Sequence, residues 1–198
     1  MGKFIVFEGI DGAGKSTQIA HLRNALEKMG RRVITTAEPT DTDTGRMLRA
    51  ALSGAVPRSG AEMAALFVLD RIGHSAEISR LLAEGYDVIC DRYYYSSLAY
   101  QGSLCDYEWV RHMNCECPDI RHPDLCVFLD LSPKAALARI RARGEATEIY
   151  EKEEILTRFR NTFLHVFDTL GDKVAVIDAA PAPDEVAEGV LAAVKEIL

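Results

Sequence analysis

The sequence predicts an α/β fold in which five parallel strands form one sheet with helices on both faces. Two observations support this prediction. Short apolar, β-branched segments alternate with longer segments of helical periodicity, and polar residues follow most of the short segments. The first short segment also runs directly into a glycine-rich turn and then into a predicted helix, which is a common strand–turn–helix arrangement of parallel sheets.

The predicted strands are short and largely apolar, as expected where helices cover both faces of a sheet. They comprise residues 3–8, 32–37, 86–91, 125–131 and 173–177.

The predicted helices lie between and after these strands. Gly30 and Gly85 end two of them, because glycine commonly follows the last helical turn. Ser132 and Pro133 suit the N-cap and first position of another. The predicted helices cover residues 15–29, 45–52, 61–84, 132 to about 143, 151–170 and 183–198.

Length and charge limit the class of protein. A chain of 198 residues with 48% hydrophobic residues can bury one core, so we expect a single domain over residues 1–198. A net charge of −7 argues against a general binder of nucleic acid or anionic membranes. No apolar segment approaches the ~20 residues of a membrane span. The first strand leaves no room for a signal peptide, and an odd number of cysteines, five, favours reduced thiols. We therefore expect a cytoplasmic protein.

Residues 9–16 match the pattern G-x-x-x-x-G-K-[ST] between a predicted strand and a predicted helix. Its glycines allow backbone N–H groups to surround a polyphosphate, and the helix N-terminus adds positive potential. Lys15 would reach the β- and γ-phosphates, and the Ser16 hydroxyl would be a ligand of Mg²⁺. The pattern predicts ATP-like nucleotide binding by Gly9, Ile10, Asp11, Gly12, Ala13, Gly14, Lys15, Ser16 and Thr17.

Asp11 places a negative charge inside this anion-binding loop. One interpretation is a turn residue chosen for its local hydrogen bonds. The other is a carboxylate directed at a sugar hydroxyl or a hydrated metal ion, and the second is favoured.

Polar residues gather where the predicted strands end, at the edge where ligands bind in parallel sheets. Asp91 and Arg92 would supply a metal-organising carboxylate and a fork that holds two phosphate oxygens, although an ordinary ion pair is the alternative. The segment 139–150 contains Arg141 and Arg143. It is either a solvated basic helix end or a lid that brings an arginine to the transferred phosphoryl group.

Two further groups of residues have a plain and a functional interpretation. Phe67 and Arg71, one helical turn apart, would contact one flat ligand, or would be a core ring and a surface cation. Cys115 and Cys117 have poor spacing for zinc, so an incidental loop is favoured over a metal site. Cys90 and Cys126 lie in strand-like segments and are predicted to be core residues.

These motifs together resemble the thymidylate kinase family of P-loop nucleoside monophosphate kinases. The resemblance extends from residue 3 to about residue 160 and implies the P-loop kinase fold with a short helical lid. It also implies transfer of the γ-phosphoryl group of ATP to dTMP with Mg²⁺, in dTTP biosynthesis, by a homodimer. The residues that carry it are 7–17, Glu38-Pro39-Thr40, Asp70-Arg71, Asp91-Arg92-Tyr93, 96–102, Pro123-Asp124 and 128–133.

The resemblance also implies roles for single residues. The ring of Phe67 would stack on thymine, and Arg71 and Gln101 would lie against the base. Arg92, and less directly Arg49, would hold the acceptor phosphate. Tyr100 would crowd the sugar 2′ position, and Asp11 would approach the 3′-hydroxyl. Glu38 and Asp91 would join Ser16 in organising the metal. Glu38, Pro39 and Ser97, which belong to the same motifs, would also bind the substrate.

The family includes a type in which the lid, not the P-loop, supplies an arginine. Ala13 occupies the P-loop position where some members carry that arginine, so the resemblance implies Arg141 or Arg143 as its source. The catalytic residues implied are then Lys15, Asp91, Arg92, Arg141 and Arg143.

Two other functions stay open at this level. One is a related P-loop kinase acting on a deoxynucleoside or another monophosphate. The other is a nucleotide-dependent switch, which is less favoured because the sequence has no Asn-Lys-x-Asp segment and no Asp-x-x-Gly after the third predicted strand.

Overall fold

The computed structural model describes residues 2–142 and 153–198. Its sheet has the strand order β2-β3-β1-β4-β5, and every pairing is parallel, which confirms the predicted five-stranded parallel sheet. Each strand begins and ends within one residue of its predicted limits. The strands are β1 (Phe4–Glu8), β2 (Val33–Ala37), β3 (Asp87–Asp91), β4 (Leu125–Asp130) and β5 (Val174–Asp178).

Helices connect these strands on both sides of the sheet. Most match a predicted helix, and no helix of the described residues is long and apolar enough to cross a membrane. The helices are α1 (Lys15–Lys28), α2 (Asp43–Leu52), α3 (Gly60–Ala83), α4 (Tyr94–Tyr100), α5 (Tyr107–Cys115), α6 (Pro133–Ala142), α7 (Glu153–Leu170) and α8 (Pro183–Lys195).

Helices α4 and α5 were not predicted from the sequence. Residues 94–99 of α4 are all buried, so its sequence shows no alternation of polar and apolar faces. Helix α5 is only nine residues long, and Asp106 caps its first turn by accepting a hydrogen bond from the Trp109 N–H at 2.7 Å. Short helices with little periodicity give no clear signal in a sequence.

The central strand β1 is buried on both of its faces. Ile5 and Phe7 pack into a core that includes Leu22 and Leu26 of α1. Phe4 and Val6 point to the opposite face of the sheet and pack into a second core under α3, α4 and α7. The alternation of side chains along a strand therefore divides the interior into two cores, one on each side of the sheet.

Strand β1 lies between β3 and β4, so the loops that follow these three strands border one crevice at the carboxyl edge of the sheet. Ligands of parallel α/β sheets bind in this type of crevice. At the amino ends of the strands, Asp87, the first residue of β3, connects β3 to neighbouring segments. Its Oδ1 accepts hydrogen bonds from the Lys3 N–H at 2.8 Å and from Arg31 Nη2 at 2.7 Å.

Replacing Asp87 with Asn should lower the free energy of unfolding by about 1–3 kcal/mol, because the variant leaves the Arg31 guanidinium without its buried ionic partner. Urea denaturation measures this difference. We expect no change in any activity of the crevice, since Asp87 lies at the other edge of the sheet. A variant as stable as the wild type would show that this ion pair contributes nothing to folding.

Candidate active site

The loop between β1 and α1, residues 9–14, forms a glycine-rich cradle. Gly12 and Gly14 have φ angles of 83° and 97°, which residues with a Cβ rarely adopt. A Cβ on Gly12 would also lie 2.6 Å from the Ala136 carbonyl oxygen. The loop therefore needs glycine both for its backbone conformation and for its close approach to α6.

Lys15 lies at the start of α1 and is largely buried. Its Nζ donates a hydrogen bond to the Gly9 carbonyl oxygen at 3.0 Å and lies 3.9 Å from Asp11 Oδ1. Burial lowers the pKa of the Lys15 ammonium group, the nearby charge of Arg92 lowers it further, and Asp11 opposes both effects. The ammonium group is thus held inside the cradle, where a polyphosphate would meet it.

A first cavity of about 200 Å³ lies beside this loop, and we name it the acceptor cavity. The structure brings eight of the sequence-predicted residues together in its lining: Asp11, Glu38, Pro39, Phe67, Arg71, Arg92, Tyr100 and Gln101. Leu52, Tyr93 and Ser96 also line it, and no role for Leu52 or Ser96 could be predicted from the sequence.

Arg92 extends into the acceptor cavity from the loop between β3 and α4. Its φ angle is 66°, in the left-handed region that non-glycine residues seldom adopt. Nη1 donates hydrogen bonds to Ser96 Oγ at 3.2 Å and to the Tyr100 hydroxyl at 3.4 Å. Nη2 donates to Asp11, so the carboxylate of the phosphate loop is the ionic partner of this arginine.

Arg71 lines the same cavity although only 1% of its surface is exposed, so it is not the surface cation of the plain interpretation. Its guanidinium donates to Glu38 Oε2 and to Ser97 Oγ, the latter at 3.2 Å. Nη1 also donates to Asn114 Oδ1, and Asn114 is fully buried. Asn114 could not be identified from the sequence, because a single Asn on an unpredicted helix carries no motif.

Glu38 connects Arg71 to His74. Its Oε1 lies 3.0 Å from His74 Nδ1, and His74 Nε2 lies 2.8 Å from Thr36 Oγ1. Both carboxylate oxygens of Glu38 are therefore engaged by side chains of α3. The metal-binding role of Glu38 remains a prediction, and its observed contacts position Arg71.

A second cavity lies next to the first, and Ser16, Asp91 and Arg49 all line it. The Oδ1 atom of Asp91 is buried and has no hydrogen-bond partner among the described residues. A buried carboxylate oxygen beside a P-loop serine is suited to binding Mg²⁺ or one of its water ligands. These two residues therefore fit a magnesium ion.

Arg49 does not line the acceptor cavity. Its guanidinium donates to the carbonyl oxygens of Pro39 and Thr40, at 2.8 and 2.6 Å, and pairs with Asp41. In this arrangement Arg49 fixes the turn after β2, and its contact with an acceptor phosphate remains a prediction.

A third cavity, of about 140 Å³, lies behind the phosphate loop between α1, α6 and the start of α8. Arg139 borders it and donates through Nη2 to the Ala179 carbonyl oxygen at 2.9 Å. Gln18, which the sequence analysis did not single out, also borders it and donates to the Pro183 carbonyl oxygen at 2.8 Å. The position of this cavity suits the base of a nucleotide bound by the loop.

The residues of the expected lid are only partly described. Arg141 is exposed at the end of α6. Arg143 and most of the segment 139–150 lie outside the described residues.

The cysteines give no sign of a metal site. Within residues 2–142 and 153–198, no group of three or more His, Cys, Asp and Glu side chains could hold a metal ion. Cys90 and Cys126 are fully buried, which confirms their prediction as core residues. Burial raises the pKa of the Cys115 thiol to about 11, so this thiol is protonated at neutral pH.

Glu8, the last residue of β1, is a buried carboxylate that the sequence analysis assigned no role. Its Oε1 accepts hydrogen bonds from the N–H groups of Tyr93 and Ser96, at 2.9 and 3.1 Å. Its Oε2 accepts from Ser96 Oγ at 2.8 Å. Burial raises the pKa of Glu8 to about 7, although Arg92 and the Tyr93 N–H oppose this shift.

Comparison with known proteins shows the family to which the chain belongs. The profile of a family described as "Thymidylate kinase" matches residues 7–190. A "Probable thymidylate kinase" of Pyrococcus horikoshii is 36% identical over 100% of this chain and 98% of its own. A "Thymidylate kinase" of Solidesulfovibrio magneticus is 38% identical over 98% and 100% of the two chains. One of Akkermansia muciniphila is 43% identical over 94% and 88%. The chain belongs to the thymidylate kinase family.

The raised pKa of Glu8 predicts a pH-dependent stability. Because the folded-state pKa of about 7 exceeds the ordinary value of 4.5, the favourable contribution is complete below pH 4.5 and disappears as the pH rises through 7. The Glu8→Gln variant lacks this titration. We expect the unfolding free energy of the variant, relative to wild type, to rise by about 2–3 kcal/mol between pH 5 and pH 8.

Chemical denaturation of both proteins across this pH range measures the relative change, and titrations common to both chains cancel. A difference that stays constant with pH would show that Glu8 has an ordinary pKa in the folded protein.

Proposed function

We propose that this chain transfers the γ-phosphoryl group of ATP to dTMP, forming dTDP, with Mg²⁺ as cofactor. One observation carries the proposal: Asp11 belongs to the phosphate-binding loop and also lines the acceptor cavity with Arg92. A monophosphate in that cavity would therefore lie directly beside the triphosphate in the loop. Because the net charge of the chain is −7, cationic side chains near the site would have to bind the triphosphate and the monophosphate.

The lining of the acceptor cavity supports a nucleotide as the acceptor. Phe67 offers an aromatic face and Arg71 a guanidinium at the same wall, which suits a planar base with carbonyl oxygens. In this arrangement Gln101 would lie near the base, and Tyr100 would press against the sugar and disfavour a 2′-hydroxyl. Asp11 would approach the 3′-hydroxyl.

Arg92 favours a phosphorylated acceptor over a nucleoside. A guanidinium that lines the cavity can hold two phosphate oxygens, whereas a neutral hydroxyl would leave its charge without a new anionic partner. Asp11 is the partner of Arg92 in the structure, and the acceptor phosphate would compete with this carboxylate for the guanidinium.

Ser16 and Asp91 would hold Mg²⁺, which would neutralise part of the charge of the phosphate groups. The protein itself has little covalent work in this reaction. Its tasks are to align the two substrates away from water and to surround the transferred group with positive charge from Lys15 and Arg92. The third cavity would bind the base of ATP, and Arg141 or Arg143 would add a further cation.

We propose in addition that the chain forms a single domain and that two copies of it form a homodimer. The dimer would act in the cytoplasm, without nucleic acid or membranes as partners. The odd number of cysteines, five, favours a reducing compartment. Leu69, in the middle of α3, is 59% exposed, and the small residues Ala65 and Gly73 are exposed one turn to either side of it. The small residues on either side of Leu69 would let a helix of a second subunit approach closely, so we place the proposed interface at this face of α3.

A coupled assay with ATP and Mg²⁺ tests the reaction when dTMP, dUMP, dCMP, dGMP, UMP and thymidine are supplied separately. We expect preferred turnover of dTMP, and Lys15→Ala or Arg92→Ala should lower kcat/KM by on the order of 10²-fold or more because each removes a positioned cation.

The matched control is Arg46→Ala, which removes an exposed arginine of α2 that pairs with Asp43 on the same helix. This control should retain wild-type kcat/KM. Turnover of thymidine in preference to dTMP would exclude the acceptor proposed here. ADP formation at background level with every acceptor would exclude a kinase of this class.

Leu69→Glu should convert the dimer into a monomer, because it places a charge in the middle of the proposed interface. Sedimentation velocity measures the change. Met29→Glu is the control, since Met29 is 49% exposed just beyond α1, and it should leave the dimer intact. A monomeric wild type would contradict the proposed dimer, and a Leu69→Glu dimer would place the interface elsewhere.

A further inference from the structure

We propose that Glu8 is a positioning residue for phosphoryl transfer: its buried carboxylate holds the start of α4 so that Arg92 extends into the acceptor cavity. The inference rests on the proposed function, because it assigns to Arg92 the acceptor phosphate. Glu8 is not among the described residues that line the acceptor cavity, so it would act through its neighbours.

Glu8 replaces the usual cap of a helix. The first N–H groups of a helix have no partners within it, and a side chain just before the helix commonly accepts one of them. Tyr93 occupies that position in α4 and provides no such oxygen. The Glu8 carboxylate, from the end of β1, accepts hydrogen bonds from the N–H groups of Tyr93 and Ser96 instead. The Ser96 N–H also donates to the Tyr93 carbonyl oxygen at 3.1 Å, so it is shared between the two acceptors. The start of α4 is thereby attached to the end of β1.

Arg92 is held between two contacts with β1. Its own N–H donates to the Phe7 carbonyl oxygen at 2.9 Å, and the next N–H along the chain, that of Tyr93, donates to Glu8 Oε1 at 2.9 Å. A residue with a Cβ is unfavourable at a φ of 66° and stays there only when its surroundings fix it. These adjacent contacts fix the backbone of Arg92.

Ser96 connects Glu8 to the side chain of Arg92. Its hydroxyl donates to Glu8 Oε2 at 2.8 Å and accepts a hydrogen bond from Arg92 Nη1 at 3.2 Å. An ionised carboxylate only accepts hydrogen bonds, so it directs the Ser96 hydrogen toward Glu8 and leaves the oxygen lone pairs facing Arg92. The carboxylate thus sets both the backbone and the guanidinium of Arg92.

The charged neighbours of Glu8 favour its ionised form. Arg92 and Lys15 both face it and oppose the effect of burial on its pKa, which is raised to about 7. Burial raises the pKa of Tyr100 to about 12 and raises those of Cys90 and Cys126, so these three groups stay neutral near pH 7. Protonation of Glu8 would remove the accepting charge from the start of α4.

The test compares wild type with Glu8→Gln, which keeps the size of the side chain and resembles the protonated acid. At pH 8.5 we expect the KM of the variant for dTMP to rise about tenfold, while its KM for ATP changes by less than about twofold. The reason is that the substitution displaces Arg92, which would bind the acceptor phosphate and not ATP. The ratio of wild-type to variant kcat/KM should fall toward one at pH 6, where wild-type Glu8 is protonated. Ionisation of dTMP occurs with both enzymes and cancels in this ratio. The charge of Glu8 also raises the pKa of Lys15, so the KM for ATP is measured over the same pH range to detect any change at Lys15.

Two further variants separate positioning from stability. Ser96→Ala should reproduce part of the effect on dTMP, and its combination with Glu8→Gln should be less than additive, because both act on one contact. Asp87→Asn removes another buried carboxylate at the opposite edge of the sheet and should change stability without changing either KM. Ser96→Ala also keeps the inference testable if Glu8→Gln does not fold.

Either of two results would overturn the inference and leave Glu8 a structural residue. One is that Glu8→Gln has the same KM for dTMP as wild type at pH 8.5, and the other is that the ratio of wild-type to variant kcat/KM does not change with pH. If wild type prefers another monophosphate, the proposed acceptor is wrong, and the same ratio with the preferred acceptor tests Glu8. If wild type phosphorylates none, the proposed function fails. In that case, calorimetry with inorganic phosphate tests the role of Glu8. Weaker phosphate binding by Glu8→Gln than by wild type would support this role, and equal binding would overturn it.

Discussion

The arrangement of the active site depends on carboxylates placed where the strands end. Glu8 ends β1, Glu38 follows β2, and Asp91 ends β3. Because the strands are parallel, their ends meet at one edge of the sheet. Two of these carboxylates, Glu8 and Glu38, bind helices from other parts of the chain. Glu8 holds the start of α4, and Glu38 holds Arg71 of α3. The same edge continues at Asp130 of β4, which pairs with Arg160 of α7.

These contacts explain how a chain of net negative charge can present cations to anionic substrates. A buried guanidinium without a partner is costly, so each cation of the acceptor cavity is already paired in the structure. Arg71 has a permanent buried partner in Glu38. Arg92 is held by Asp11, a residue of the phosphate loop itself, and by the hydroxyls of Ser96 and Tyr100. An entering phosphate would therefore exchange one anionic partner of Arg92 for another.

Much of this organisation could be predicted from the sequence, because its signals are local. Strand limits follow from apolar segments with polar ends, and the phosphate loop follows from glycine and lysine spacing. Phe67 and Arg71 were placed together because residues four apart share one face of a helix. The position of the acceptor cavity could then be predicted from the rule that ligands bind at the carboxyl ends of parallel strands, together with the family resemblance of motifs such as Asp91-Arg92.

What the sequence did not reveal are long-range contacts between residues that carry no motif of their own. Asn114 meets Arg71 across 43 positions of the chain, and Glu8 meets Tyr93 across 85. Helix α4 could not be predicted from periodicity because tertiary packing buries all of its sides, and the cap at its start comes from another strand. Both contacts set the position of a cation that the sequence did identify. Local patterns thus identify the residues that would touch substrate, whereas folding determines which buried residues hold them in place.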